Sequence, residues 1–158
     1  MKRIKYLQTM KEYFDIFSVC AILGPRQVGK TTLAHEYVQE YAQQDKVEFF
    51  DLEDPLDLSR LENPMISLKK YENYLIVIDE IQRRPDLFPV LRVLVDTKKY
   101  KFLILGSASR DLLKQSSETL VGRIGYIQLP PFTFFDITAD LAPITKKNQD
   151  TVTNLVDT

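Results

Sequence analysis

The sequence predicts an α/β fold, and three of its features support this prediction. Apolar runs at residues 19–23, 74–78 and 101–105 have the composition of buried strands, and the first shows no alternation with polar residues. Stretches with the helical spacing of apolar residues separate these runs. Polar loops follow the runs, so ligand-binding groups are expected to collect at one edge of an open sheet.

The composition restricts the class of protein. A chain of 158 residues is large enough for one domain with a real core, and we expect that core at residues 1–137 and a polar, loosely ordered tail at 138–158. The net charge of −1 lacks the basic excess typical of nucleic-acid binders, so a nucleic-acid partner is possible but unsupported by charge. No apolar run reaches membrane-spanning length and no signal peptide is evident, which favours a soluble cytoplasmic protein with no membrane partner. The single cysteine, Cys20, lies in an apolar run and is expected to be a small buried hydrophobe rather than a reactive thiol.

The first elements are a helix and a strand. Residues 1–17 place Leu7, Met10, Phe14 and Phe17 on one helical stripe. Residues 18–23 follow as the first strand of the sheet. We expect the helix to pack its stripe against that sheet.

Residues 24–32 read Gly-Pro-Arg-Gln-Val-Gly-Lys-Thr-Thr, the G-x-x-x-x-G-K-[ST] pattern of a phosphate-binding loop between a strand and a helix. In that geometry the backbone N–H groups point at a phosphate chain, which the glycines allow to approach closely. Lys30 is expected to reach the β- and γ-phosphates, and the Thr31 hydroxyl to join a Mg²⁺ shell. A decayed loop that binds nothing is the alternative. The predicted nucleotide-binding residues are Gly24, Pro25, Arg26, Gln27, Val28, Gly29, Lys30, Thr31 and Thr32.

A helix over about 30–43 and a strand over 46–52 come next. The strand ends in a turn with four acidic residues, after which we expect a helix within 56–70. These acids suit a helix start better than a metal site, because acidic side chains favour the positive end of a helix. The acidic cluster consists of Asp51, Glu53, Asp54 and Asp57.

The run at 74–78 ends in Asp79 and Glu80, which places two carboxylates at the carboxyl edge of the sheet. Asp79 suits the Mg²⁺ shell, directly or through a water. Glu80 is well placed to polarise an attacking water, and an ordinary solvated turn is the alternative.

The remaining elements carry weaker signals. Pro85 opens a helix that is apolar around most of its circumference, so it is either deeply buried or touches a partner. A strand at 101–105 precedes Ser107, a candidate to sense the γ-phosphate or to orient the water, and residues 111–115 start a short helix. Arg123, just before a last strand at 124–129, could offer its guanidinium to a γ-phosphate in cis or across a subunit interface, or form a surface salt bridge.

An aromatic segment follows the last strand. Phe132, Phe134 and Phe135 come directly after two prolines. If exposed, they would form a docking surface for a missing C-terminal domain or a second copy of the chain.

Taken together, five segments resemble those of a prokaryotic AAA-family ATPase, of the AAA+ or ASCE P-loop type. The group in question is usually fused to a C-terminal restriction-endonuclease-like domain, which is not present before the chain stops at Thr158. The matching segments are residues 24–32, 51–55, 78–82, 106–110 and 120–123, with Pro130-Pro131-Phe132 also fitting.

The resemblance implies a three-layer P-loop NTPase fold, with helices on both faces of a parallel five-stranded sheet in the order 5-1-4-3-2. It makes Glu80 the water-activating residue, Ser107 the sensor and Arg123 a possible arginine finger, with Lys30 also catalytic. ATP and Mg²⁺ are the implied cofactors, ATP and ADP the implied ligands, and Thr31 and Asp79 the implied metal ligands.

Three functions stay open on the sequence. The first is Mg-dependent ATP hydrolysis that drives a conformational change in a larger protein or partner. The second is a nucleotide-gated interaction module with little or no hydrolysis. The third is a P-loop small-molecule kinase, against which stands a glutamate directly after Asp79 that favours water as the nucleophile.

Overall fold

Five parallel strands form the centre of the structure, a computed structural model in which residues 3–131 are described. The order along the sheet is β2-β3-β4-β1-β5, so the predicted order 5-1-4-3-2 is confirmed. All of these elements belong to one unit, Lys2–Leu129. The strands are β1 Val19–Leu23, β2 Lys46–Asp51, β3 Tyr74–Asp79, β4 Lys101–Gly106 and β5 Ile124–Gln128.

Helices cover both faces of this sheet. Each helix is the connection between parallel strands or precedes the first of them, as parallel pairing requires. The helices are α1 Ile4–Ile16, α2 Lys30–Tyr41, α3 Pro55–Arg60, α4 Pro64–Lys69, α5 Leu87–Asp96 and α6 Arg110–Thr119, with a short 3₁₀ turn at Ile81–Arg83.

The core has two halves because alternate side chains of a strand point to opposite faces. Cys20 and Ile22 of β1 pack with α1 and α2, and the α1 side chains Leu7, Met10 and Phe14 are buried there as predicted. Val19, Ala21 and Leu23 of β1 lie in the other half, with residues of α4, α5 and α6. This sandwich fixes β1 at the centre of the molecule and so holds the loop that follows it.

The expected helix within 56–70 is wrong as a single helix. The chain forms two six-residue helices instead, α3 and α4, separated at residues 61–63. Pro64 begins α4 and lacks the N–H group that a continuous helix needs at that point, while proline also disfavours helical backbone at Asn63. Leu61 in the break is fully buried and anchors it to the core.

Other boundaries differ by a few residues. α6 begins at Arg110 and includes the predicted 111–115, and Ser109 caps its start by accepting a hydrogen bond from the Leu112 N–H at 3.1 Å. α5 begins at Leu87, two residues after Pro85. Within the described residues, none of the helices has both the length and the apolar character that crossing a bilayer demands.

Candidate functional site

The loop at residues 24–29 joins the end of β1 to the start of α2 at the carboxyl edge of the sheet. Gly29 precedes α2 with a φ of 97°, a left-handed conformation that favours glycine. Gly24 touches the neighbouring strand end, where a Cβ would lie 2.4 Å from the Leu129 carbonyl oxygen. Val28 is buried in the core and anchors the loop, whereas Pro25, Arg26 and Gln27 are exposed.

Lys30 is the first residue of α2, and its side chain is folded back onto the loop. Its Nζ donates hydrogen bonds to the Gly24 carbonyl oxygen at 2.9 Å and to the Pro25 carbonyl oxygen at 2.7 Å. Only 7% of the residue is exposed. The loop therefore encloses a cation close to the positive end of a helix, where an anion is favoured twice over.

Thr31 and Asp79 are brought together from positions 48 residues apart. The Thr31 hydroxyl donates to Asp79 Oδ2 at 2.6 Å, and Asp79 Oδ1 accepts from the Glu80 N–H at 2.9 Å. Burial raises the pKa of Asp79 above its ordinary value, and the Thr31 hydrogen bond opposes that rise. These two oxygens fit Mg²⁺, which is commonly held by one or two protein oxygens together with phosphates and waters.

Glu80 lines a cavity of about 260 Å³ together with Lys30, Thr31 and Thr32. Its backbone is left-handed, with φ 60° and ψ 44°. A non-glycine residue in this conformation is uncommon, and such strain is often found at functional sites. The carboxylate accepts a hydrogen bond from the side-chain amide of Gln82.

A second cavity of about 210 Å³ adjoins the first, and Lys30 and Glu80 line both. Ser107 lies on its wall, so the structure brings this candidate sensor to the same region as Glu80. Arg26 and Arg83 line it too. Both arginines face Glu53, at 3.2 Å and 3.9 Å from its Oε1.

The acidic cluster after β2 is engaged in turn and helix-start contacts. Asp54 caps α3 by accepting from the Leu56 N–H at 2.9 Å, and Asp57 accepts from the Asp51 N–H at 2.8 Å. Asp51 in turn accepts from the Glu53 N–H. Across residues 3–131 there is no group of three His, Cys, Asp or Glu side chains that could hold a metal ion.

Arg123 lies away from this site. It precedes β5 at the amino edge of the sheet, and its backbone carbonyl pairs with the Val19 N–H at the start of β1. The five residues of β5, about 16 Å of strand, separate it from the carboxyl edge. Its guanidinium donates to both oxygens of Asp96, at 2.6 and 3.0 Å. The action in cis that the sequence left open does not fit this placement, because the phosphate loop is at the other end of the strands.

One other predicted feature, Cys20, is described by the structure, whereas the aromatic segment and the tail are not. Cys20 is fully buried, and burial raises its pKa to about 12, which agrees with an unreactive core residue. Phe132, Phe134 and Phe135 lie outside the described residues, as does the tail at 138–158. Their proposed docking role and the boundary at residue 137 stay predictions.

Sequence reasoning missed three contacts of the site. These are the hydrogen bond of Gln82 to Glu80 and the contacts of Arg26 and Arg83 with Glu53. The available signal was position: polar residues directly after Asp79-Glu80 and within the phosphate loop can face the same strand edge.

Comparison with known proteins agrees with the geometry. A family model described as AAA domain matches residues 17–138. The chain is also 48% identical over 126 residues to the uncharacterized proteins Mb2031c of Mycobacterium bovis and Rv2008c of Mycobacterium tuberculosis. That alignment covers 78% of this chain but only 27% of either relative.

The fold also occurs in solved structures of other proteins. The crystal structure of a DNA replication initiation factor aligns with 92% of this chain and 50% of its own, with a TM-score of 0.60 and 15% identity. At that identity the similarity concerns the fold alone.

Proposed function

This chain belongs to the AAA domain family, and we propose that it binds ATP with Mg²⁺ and hydrolyses it to drive a conformational change in a larger protein or partner. Nucleotide binding by an AAA module is the general property, and hydrolysis is the added step. The chain spans about a quarter of the length of the curated relatives it matches, so the partner and the process belong to the proposal. Fusion to a restriction-endonuclease-like domain and a cytoplasmic location are further expectations.

One observation carries the proposal: the hydrogen bond of 2.6 Å between Thr31 and Asp79. It joins the start of α2 to the end of β3, across two elements far apart in the sequence. The same junction places Lys30 and Glu80 on the wall of one cavity. Thr31 lines the same cavity, and its hydroxyl is hydrogen-bonded to the Asp79 carboxylate. A cation, a pair of metal-binding oxygens and a carboxylate are thus gathered at one edge of the sheet, which supports phosphoryl transfer to water.

The proposed reaction assigns a role to each residue. Lys30 and the loop N–H groups bind phosphate oxygens, while Thr31 and Asp79 would hold Mg²⁺, which would supply positive charge to offset that of the triphosphate. Glu80 orients a water and accepts its proton as the oxygen bonds to the γ-phosphorus. The bond from the γ-phosphorus to the bridging oxygen breaks, and ADP leaves with the charge on that oxygen. The Lys30 ammonium, held against the loop, offsets this charge. Ser107 is assigned the role of sensing the γ-phosphate.

The test separates binding from turnover. We expect Lys30→Ala to weaken ATP binding by about tenfold to a hundredfold, since it removes charge-assisted hydrogen bonds worth roughly 1.5–3 kcal/mol. We expect Glu80→Gln to keep ATP binding and to lower kcat by about 10²–10⁴-fold, as loss of a general base does. Calorimetry with ATP and a phosphate-release assay measure the two effects, and Lys114→Ala on the exposed side of α6 is the matched lysine control.

Other outcomes point to the other functions. Unchanged ATP affinity in Lys30→Ala would refute the assigned site. ATP binding without phosphate release by the wild type would favour the nucleotide-gated interaction module. Phosphoryl transfer to an added small-molecule acceptor would favour the kinase.

A further inference from the structure

We propose that Gln82 is a positioning residue that ties the Glu80 carboxylate to the end of strand β4. This inference rests on the proposed function, because it assigns Gln82 the task of holding the residue that activates water. It adds Gln82 to the proposed hydrolytic site, as a link between Glu80 and Ser107 on the wall of the second cavity.

The side-chain amide of Gln82 is used at both ends. Its Nε2 donates to Glu80 Oε2, and its Oε1 accepts from the Ser107 backbone N–H at 3.2 Å. A single half-buried side chain therefore connects the candidate base to the candidate sensor. The bond occupies Oε2 of Glu80 and leaves Oε1 to accept a hydrogen bond from water.

The turn after β3 creates this arrangement. Glu80 adopts a left-handed backbone, and its carbonyl oxygen accepts from the Arg83 N–H at 3.0 Å. Ile81, fully buried, fixes the turn to the core. Two residues after Glu80, the chain has reversed far enough for the Gln82 amide to lie against the carboxylate.

Gly106 provides the space that the amide occupies. A Cβ on Gly106 would lie 2.8 Å from Gln82 Oε1 and 2.8 Å from Ile81 Cγ2, both shorter than normal contacts. The Gly106 carbonyl oxygen also accepts from the Gly24 N–H at 3.1 Å. Gly106, which lies beside the Gln82 amide, is thus hydrogen-bonded to Gly24, the first glycine of the phosphate loop.

These contacts form a continuous connection from the phosphate loop to Glu80. A shift of the loop or of the end of β4 changes the position of the Gln82 amide, and with it the carboxylate. Misplacement of a catalytic group by about 1 Å can cost 10²-fold in rate. The role of Gln82 is therefore visible in kcat rather than in ATP binding.

The first experiment measures steady-state phosphate release by the full chain. For Gln82→Ala and the equally long Gln82→Met, we expect kcat to fall by about tenfold to a hundredfold while KM for ATP changes by less than about threefold. In a Glu80→Gln background the same substitutions should cause no further loss, because Gln82 acts through Glu80. Gln43→Ala, an exposed glutamine after α2, is the matched control.

The second experiment needs no turnover. In ¹⁵N-labelled chain, the Ser107 amide resonance should move in Gln82→Met and also in Glu80→Ala, because the Gln82 side chain is hydrogen-bonded to both Ser107 and Glu80. The control Glu62→Ala changes an exposed acid outside the site and should leave the resonance in place.

The outcomes distinguish the two proposals. Wild-type turnover with an unchanged kcat in both Gln82 variants overturns the inference alone, as does an equal loss of kcat in the Glu80→Gln background. Absence of wild-type turnover overturns the hydrolysis proposal. The Ser107 amide then decides: a resonance unmoved in Glu80→Ala overturns the connection, and a moved one supports it.

Discussion

At the scale of single residues, Asp79 of the candidate site lies in an environment that is unfavourable for its charge. Burial raises its pKa, and the neighbouring Glu80 carboxylate adds repulsion. The folded chain therefore holds the Asp79 proton more tightly than the unfolded chain does. The stabilising contribution of this residue to the free energy of unfolding falls as the pH rises above the ordinary pKa of an aspartate. The loss is complete once the carboxyl is ionised in the folded chain too.

We predict that Asp79→Asn stabilises the chain at pH 7 in the absence of nucleotide, by about 0.5–1 kcal/mol, the usual gain from relieving a strained functional site. The asparagine carbonyl oxygen can accept from the Glu80 N–H, and its amide can donate to the Thr31 hydroxyl, so both bonds have replacements. Urea unfolding at pH 7 and below the ordinary carboxyl pKa is the measurement, and the gain should disappear at the lower pH.

The control for this prediction is Asp111→Asn. Asp111 is an exposed acid in the first turn of α6, where its charge is favourable, so its removal should be neutral or slightly destabilising. A chain that loses stability at pH 7 on Asp79→Asn would contradict the assigned burial cost.

The sequence predicted the site residues of the loop and of β3 because each belongs to a motif at a strand end. Lys30, Thr31, Asp79 and Glu80 needed only the strand-to-helix context to be placed at one edge. Gln82 could not be predicted in its role, since that role depends on the left-handed backbone at Glu80, which no residue type there requires.

At the scale of elements, α5 has one buried face and one exposed face. Five of its side chains are buried, whereas Val93 is 54% exposed, so the helix covers the sheet with one broad face and is not enclosed on all sides. Strands were predictable from their apolar runs. The break between α3 and α4 was missed although Pro64 is a signal for it, because the acidic turn that indicated this helix marks where a helix starts and not where it ends.

We predict that Leu91→Ala lowers the free energy of unfolding by about 2–5 kcal/mol, because it removes a fully buried side chain of α5 and leaves a cavity. Val93→Ala on the exposed side of the same helix should change it by less than about 0.5 kcal/mol. Urea denaturation of both variants is the measurement. Similar losses at the two positions would mean that α5 is covered on both sides in solution.

At the scale of the whole molecule, the parallel direction of the strands places Lys30 and Arg123 at opposite ends of the sheet. Lys30 comes after β1, whereas Arg123 comes before β5. The strand order itself came from resemblance to a family, since buried strands have similar composition and no local pattern specifies their neighbours. Arg123 at the amino edge cannot serve the site of its own chain, so a role in phosphate chemistry requires a second copy.

We predict that two impaired variants restore activity when mixed. Arg123→Ala keeps an intact phosphate loop, and Lys30→Ala keeps an intact Arg123. If copies associate with Arg123 of one facing the site of the other, the mixture should release phosphate several-fold faster than the average of the separate variants. A mixture equal to that average, at concentrations where sedimentation shows association, would leave Arg123 as the surface partner of Asp96.

The folded-back side chain of Lys30 has a consequence for how the loop meets its ligand. The ammonium group bonds the carbonyl oxygens of Gly24 and Pro25, so it closes the loop on itself by joining its two ends. The ammonium has three N–H donors and gives two of them to these carbonyls, so the third can bind a phosphate oxygen while the contacts within the loop stay in place. Substitution of Lys30 by alanine removes the hydrogen-bond donor of both carbonyls as well as that of the ligand. The stability of the loop in such a variant therefore differs from the wild type even when no nucleotide is present.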